Sequence, residues 1–261
     1  HNTKSSLLPL LSARLAKINN IIYFNHGVPH LGYNGLTAKI LMLLESLNCF
    51  LATEVITVSK DMVLALEELT NKKIRLINNG SACGLDLQKY SRTKNSYNSF
   101  RKRHNIDPKD TVYVFIGRPE KRKGYHFIIN LWANHFFNKM NYKLLLCGSK
   151  KSTLKDSLNE VPKNIIPLGF VDDIPRVLFS SHCLILPSLH EGLSYAALEA
   201  MASRCIIIAN KIPGISNLVE NKVSGYLLKP NDEKEYLKKI KFIQANGVDK
   251  KIINTAKQIT K

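Results

Sequence analysis

From Thr111 onward the chain alternates short β-branched runs with amphipathic stretches, and no other feature narrows its fold as far. The runs are Val112–Ile116, Leu144–Cys147, Ile165–Leu168, Cys183–Leu186 and Cys205–Ile208. Between them lie 125–138, 151–159, 174–180, 193–202 and 215–220, each with apolar residues at helical spacing and a polar face. Strand, helix, strand, helix predicts an α/β fold with a doubly wound parallel sheet covered on both sides. Each of the first four strands runs into Gly117, Gly148, Gly169 or Pro187-Ser188. Ligands of such sheets bind where loops leave the carboxyl ends of the strands, so those loops are where chemistry is to be sought.

Residues 1–79 read as a shorter α/β piece. Strands are predicted at 21–24, 54–58 and 74–77, with helices over 36–50 and 60–69. Three strands are few for an independent doubly wound domain. A division into 1–80 and 81–261 follows. Lys89–His104 sits at the junction, rich in Lys and Arg, without acids, and interleaved with Tyr90, Tyr97 and Phe100. Such a segment suits either a nucleic-acid-binding strip or a solvated linker with one helix.

Charge alone does not choose between these. Lys and Arg number 38 against 20 Asp and Glu, a net charge of +18 and a pI near 9.7. An acidic partner such as nucleic acid, a membrane surface or a phosphorylated ligand would fit, and so would a merely lysine-rich surface. Cysteines 49, 83, 147, 183 and 205 are odd in number and widely spaced, with no CxxC unit, which favours a reducing compartment such as the cytoplasm. The most apolar region, 36–58, is interrupted by Lys39, Glu45, Asn48 and Glu54 and falls short of the roughly 18 consecutive apolar residues of a spanning helix.

Two loops carry candidate chemistry. Gly117-Arg118-Pro119-Glu120-Lys121-Arg122-Lys123-Gly124 follows a predicted strand and precedes a helix. Its glycines free the turn, and Arg118 and Lys123 can converge on one anion from opposite ends, a pairing suited to a diphosphate. An exposed charged turn is the plainer reading of the same residues. The second loop runs from Pro187-Ser188 through Glu191 to Glu199. With a helix beginning near Leu193, the two carboxylates should fall within about 80° of each other and address two parts of an elongated ligand. Glu199 lies among Ala196, Ala197, Ala200 and Ala202, where a carboxylate needs hydrogen-bond donors and sugar hydroxyls would serve. Free amides at Gly192, Leu193 and Ser194 would form an anion site at the helix N-terminus. Together these describe a receptor for a diphosphate joined to polyhydroxylated groups. His26, in Asn25-His26-Gly27, is a lone histidine in a loop.

The chain has no GxGxxG, no GxxxxGK[ST] and no Asp-x-Asp to hold a metal on a diphosphate. If a diphosphate departs here, fixed cations must do the metal's work. No metal and no resident cofactor are expected.

These residues resemble glycosyltransferase family 4, retaining enzymes of GT-B architecture. The P-S-x-x-E-G frame leading to a second E-A appears as Pro187-Ser188-Leu189-His190-Glu191-Gly192 through Glu199-Ala200, and the G-R-x-x-x-x-K-G loop as Gly117-Arg118 through Lys123-Gly124. Leu168-Gly169-Phe170-Val171, Ser224-Gly225-Tyr226-Leu227-Leu228, Asn79-Gly80-Ser81 with Gly84-Leu85-Asp86, and Asn25-His26-Gly27 also resemble family elements, in family order. The resemblance implies two Rossmann-like domains, 1–80 on the acceptor side and 81–261 binding the nucleotide sugar. It implies that Gly117, Arg118 and Lys123 hold the donor diphosphate and that Phe170 and Val171 lie near the base. Glu199 would bind the ribose, Glu191 would contact the donor sugar or phosphate with Gly192, Leu193 and Ser194 supplying amides, and His26 would face the reacting sugar.

The implied activity is metal-independent transfer from a nucleotide sugar, UDP-linked by expectation, to a glycan or polyprenyl-diphosphate-linked acceptor in surface polysaccharide synthesis. Peripheral contact with the inner face of the cytoplasmic membrane would go with such an acceptor, and no nucleic acid is expected. The competing readings are a basic nucleic-acid-binding protein using Lys89–His104 and, behind it, another GT-B protein such as a nucleotide-sugar epimerase. His1-Asn2-Thr3-Lys4 resembles an H-x-x-K stretch midway through the family's first domain, so the expected chain lacks the start of that domain. It is also expected to stop soon after a helix over 234–244, before the family's final helix.

Overall fold

Strands buried on both faces read as continuous apolar runs, and these runs built the larger of two sheets. The computed structural model describes residues 3–78, 80, 83–90, 94–137 and 139–259, with the side chains of 94–97 left aside. Asn79, Ser81 and Asn138 lie outside the described residues, as do His1 and Asn2. The chain forms two compact units. One comprises His1–Gly84, His190–Ser194 and Ile212–Asn217; the other comprises Leu85–Leu189, Tyr195–Lys211 and Leu218–Lys261. The single cut expected after residue 80 differs from this in two respects: the opening segment of the first unit runs to Gly84, and two segments of the later half group with it.

The second unit holds six strands, which follow the three of the first unit in chain order: β4 (Thr111–Ile116), β5 (Tyr142–Cys147), β6 (Ile165–Gly169), β7 (Cys183–Leu186), β8 (Ile206–Asn210) and β9 (Tyr226–Leu228). All pair in parallel, in the order β6-β5-β4-β7-β8-β9. Every residue of β5, β7 and β8 is buried, including Lys143, whose ammonium lies 3.6 Å from the Asp110 carboxylate. The chain lays down β4, β5 and β6 in one direction and then returns to place β7 on the other side of β4. Val114 pairs with Leu184 across that switch.

Helices α4 (Lys94–Arg103), α5 (Tyr125–Phe136), α6 (Lys151–Ser157), α7 (Ile174–Phe179), α8 (Tyr195–Ala202), α9 (Glu233–Asn246) and α10 (Lys250–Ile259) complete the unit. Asp173 and Asp232 cap α7 and α9 by accepting the amides of Arg176 and Glu235. Trp132 of α5 is fully buried, edge-on to Tyr113 of β4 at 5.3 Å. The stretch 215–220 is not helical. Gly214 has φ +79°, and the chain there makes successive turns, with the amides of Ile215 and Ser216 both donating to Ile212. Beyond the helix expected over 234–244 the chain turns at Gly247 and enters α10, which the sequence reading did not foresee.

The first unit carries β1 (Ile22–Asn25), β2 (Glu54–Thr57) and β3 (Arg75–Leu76), parallel and in that order, with α1 (Thr3–Leu15), α2 (Gly35–Leu51) and α3 (Lys60–Thr70). Tyr23, Val28, Cys49, Val55, Met62 and Leu66 form its core. Leu36, Ile40, Leu43, Leu47 and Phe50, spaced 4, 3, 4 and 3 along α2, make one exposed apolar face. No helix of the described residues is long and apolar enough to cross a membrane.

The fold is α/β, with parallel sheets in two Rossmann-like units.

Candidate functional site

In an open parallel sheet the strand order reverses at one place, and the two loops leaving the flanking strands diverge to make a crevice there. Here those strands are β4 and β7. The loop after β4 is the cationic Gly117–Gly124 segment, and the loop after β7 is Pro187-Ser188. The two loops are locked together. Gly124 has φ +72°, and a Cβ on it would lie 2.1 Å from the Pro187 carbonyl oxygen, so only glycine permits this approach. The amide of Leu189 donates to the Arg122 carbonyl at 2.8 Å. From below, the side-chain amide of Asn210 donates to the Ser188 carbonyl at 2.9 Å, and Tyr236 in turn donates to Asn210.

Within the first loop, Lys121–Lys123 form a short 3-10 turn that returns Lys123 toward the strand end. Its Cγ lies 3.5 Å from the point a Cβ on Gly117 would occupy. Arg118 is exposed at the other end of the loop, paired at 3.1 Å with Glu120, which also lies 3.8 Å from Arg122. An incoming diphosphate would exchange one anionic partner of Arg118 for another. The loops after β5 and β6 are stitched alongside, with the Gly117 amide donating to Cys147 and the Gly148 amide to Gly169. Phe170 follows, 84% exposed, and Val171 is half-buried.

Glu199 lies on α8, half-buried, and the sequence reading missed its partner. The Tyr90 hydroxyl donates to Glu199 Oε1 at 2.8 Å across 109 residues of chain. Burial raises the Glu199 pKa above the ordinary carboxylate value, and the Tyr90 hydrogen bond opposes that rise. The Cys147 thiol, also buried and facing Glu199, is pushed up to about 12. The small-residue face around Glu199 is therefore already occupied by one donor.

Two further expectations need correction. α8 begins at Tyr195 rather than near Leu193, so Glu191 stands before the helix and the helical angle between the two carboxylates has no meaning. The Ser194 amide is not free, since it donates to the Gly214 carbonyl at 3.4 Å.

Glu191, Gly192, Leu193 and Ser194 belong to the first unit, where they meet the loop after β1. A Cβ on Gly192 would lie 2.0 Å from the His26 carbonyl oxygen. His26 and Glu191-Gly192, far apart in sequence, are thus brought together. Beneath them is a buried polar cluster. Glu45 of α2 is fully buried and accepts hydrogen bonds from Thr3 at 2.5 Å, Tyr23 at 2.8 Å and Asn25 at 2.6 Å, and the Gly27 amide donates to Asn25 Oδ1 at 2.9 Å. Burial raises the Glu45 pKa against these hydrogen bonds, and burial lowers that of His26. A chain of three residues thereby holds the histidine loop.

Lys89–His104 resolves into a 3-10 turn, Leu87–Tyr90, and α4. Residues 91–93 lie outside the described residues. Tyr90 and Phe100 are buried, and the Arg101 guanidinium, also buried, donates to the Asp107 and Asp110 carbonyls. Two of the three aromatics, Tyr90 and Phe100, are therefore spent on the fold rather than offered as stacking surfaces, and the side chain of Tyr97 lies outside the described ones.

Residues 96–259 match the family described as glycosyl transferases group 1, and the chain belongs to that family. It is 26% identical over 97% of its length to the UDP-Gal:alpha-D-GlcNAc-diphosphoundecaprenol alpha-1,3-galactosyltransferase of Escherichia coli, and 24% identical over 91% to the capsular polysaccharide biosynthesis glycosyltransferase CapM of Staphylococcus aureus. It spans 66% and 64% of the lengths of those proteins. Its fold is similar to that of Anabaena HepE, crystallised with UDP-glucose, with a TM-score of 0.82 at 19% identity over 99% of this chain and 72% of that one.

Proposed function

We propose that this chain acts in transfer of a sugar from a nucleoside diphosphate, UDP by preference, to a glycan or polyprenyl-diphosphate-linked acceptor in surface polysaccharide synthesis. The observation that carries the reading is the pair of interlocked loops at the β4–β7 switch, one of them bearing Arg118 and Lys123, with Glu199 on the helix that follows. Residues 81–261 would bind the donor and 1–80 would serve the acceptor side. Arg118 and Lys123 would neutralise the charge growing on the departing diphosphate, a role that fixed cations can fill without a metal. Glu199 would accept the ribose hydroxyls, Phe170 and Val171 would lie against the base, and Glu191 with the amides of Gly192 and Leu193 would contact the donor sugar or its phosphate. His26 would face the anomeric centre. Retention of configuration follows from the family resemblance alone.

The relatives named for UDP-galactose and diphosphoundecaprenol, and for capsular polysaccharide, support this choice of donor and acceptor. The apolar face of α2 and the net charge of +18 support contact with a cytoplasmic membrane surface, where a lipid-linked acceptor would be presented.

Calorimetric titration with UDP, GDP and ADP in the presence of EDTA tests the donor assignment, with NMR of the product's anomeric proton testing retention. The expected results are binding of UDP in preference to the others, no effect of the chelator, and a product of the donor's own anomeric configuration. Equal affinity for all three nucleotides, dependence on a divalent ion or an inverted product would each contradict the corresponding part of the proposal.

A further inference from the structure

A half-buried carboxylate that must accept sugar hydroxyls needs its ionised form sustained and its rotamer fixed. Around Glu199 the neighbouring Ala197 and Ala200 are fully buried and offer no side-chain donor. The one side-chain donor that reaches it among the described residues is Tyr90, only 8% exposed, at 2.8 Å. Tyr90 closes the 3-10 turn Leu87–Tyr90, and Asp86 ties that turn down by accepting the amides of Gln88 at 3.1 Å on its carboxylate and of Lys89 at 3.2 Å on its carbonyl. The phenol is thus held by a pinned turn rather than by a free side chain. It engages Oε1, and among the described residues Oε2 has no hydrogen-bond partner.

We infer that Tyr90 is a positioning residue for nucleotide binding: its hydroxyl fixes Glu199 so that the remaining carboxylate lone pairs face the ribose diol. The inference rests on the donor-site reading above. It goes beyond that reading by giving the Tyr90 hydroxyl a part in affinity for the ribose. A rival reading of the same 2.8 Å contact makes the phenol a stand-in for a ribose hydroxyl, which the nucleotide must displace. The two readings predict opposite effects of removing the hydroxyl.

The surroundings of the pair set the pH behaviour. Tyr90 is flanked by Glu199, Asp173 and Asp86, and burial together with these carboxylates keeps its phenol protonated well above the ordinary value, so it remains a donor. Glu199 faces Tyr90 and the buried Cys147 thiol. Burial raises the Glu199 pKa and the Tyr90 hydrogen bond lowers it, so loss of that bond moves it further up. Affinity that needs the carboxylate then falls away at a higher pH on acidification.

The experiment is calorimetric titration of the unaltered chain, Tyr90→Phe and Glu199→Gln with UDP and with 2′,3′-dideoxyuridine diphosphate over a range of pH. Thermal unfolding of each variant checks that it is folded. Tyr90→Phe is expected to weaken UDP about three- to tenfold and to leave the dideoxy compound within about twofold. It is also expected to shift the acid limb of UDP binding to higher pH. Unchanged or tighter UDP binding by Tyr90→Phe overturns the inference, as does equal weakening for both compounds. No UDP binding by the unaltered chain, or UDP binding indifferent to Glu199→Gln, overturns the donor-site reading and this inference with it.

Discussion

Replacing Lys123 by alanine is expected to weaken UDP binding by roughly 10²–10³-fold, about 3–4 kcal/mol, because in the proposed site it would strip a fixed cation from the diphosphate. The reason lies in the loop. A 3-10 turn at Lys121–Lys123 carries Lys123 back to the end of β4, where the stem passes Gly117. Of its neighbours, Arg122 lies 3.8 Å from Glu120, and Arg118, at the far end of the turn, is paired with the same carboxylate at 3.1 Å. Lys123→Arg should recover only part of the affinity, because the planar guanidinium is longer and its donors are directed differently. Titration of UDP into the alanine variant gives the answer. A change of less than about threefold would remove Lys123 from the diphosphate site.

The second large effect is expected at Gly124, which is not among the residues proposed to contact the ligand. An alanine there must adopt φ near +72° and bring its Cβ to 2.1 Å from the Pro187 carbonyl oxygen and 2.8 Å from the Pro187 ring. Left-handed backbone and backbone overlap together should cost about 2–5 kcal/mol. The expected fall in Tm is roughly 5–15 °C. The two loops at the switch must also separate, so UDP affinity should fall together with stability. Thermal unfolding and titration of Gly124→Ala measure both, and a variant of unchanged Tm that binds UDP normally would contradict the locked-loop geometry.

The larger sheet was legible because its strands are buried on both sides. Cys183-Leu184-Ile185-Leu186 and the run ending at Ile208 are apolar without interruption and can be little else between amphipathic helices. The two candidate loops were legible as well, since glycines, cations and the Pro187-Ser188 turn are local signals. α1 was not, and the cause is physical. It turns Thr3 and Ser6 inward, with Thr3 bound to Glu45 and its carbonyl to Asn48, while Leu8, Leu11 and Leu15 are exposed. A helix that buries polar residues and exposes leucines gives no amphipathic signature of the usual sense.

The helix expected over 215–220 failed for another reason. The apolar spacing is present, but Gly214 at φ +79° packs against the backbone of Glu191 and commits the chain to turns. α10 had a readable start in Asp249, which accepts the amides of Lys251 and Ile253, and a readable face in Ile252 and Ala256. The Tyr90–Glu199 hydrogen bond had no local signal at all, because the two residues meet only once the sheet and its helices are assembled.

A crystal structure of the chain with UDP bound tests the central claim most directly. The diphosphate is expected at the loops that leave β4 and β7, within hydrogen-bond distance of Arg118 and Lys123, and the ribose hydroxyls on Glu199 with the Tyr90 contact intact. Ordered UDP bound elsewhere, or bound there with Lys123 and Glu199 both out of contact, would contradict it.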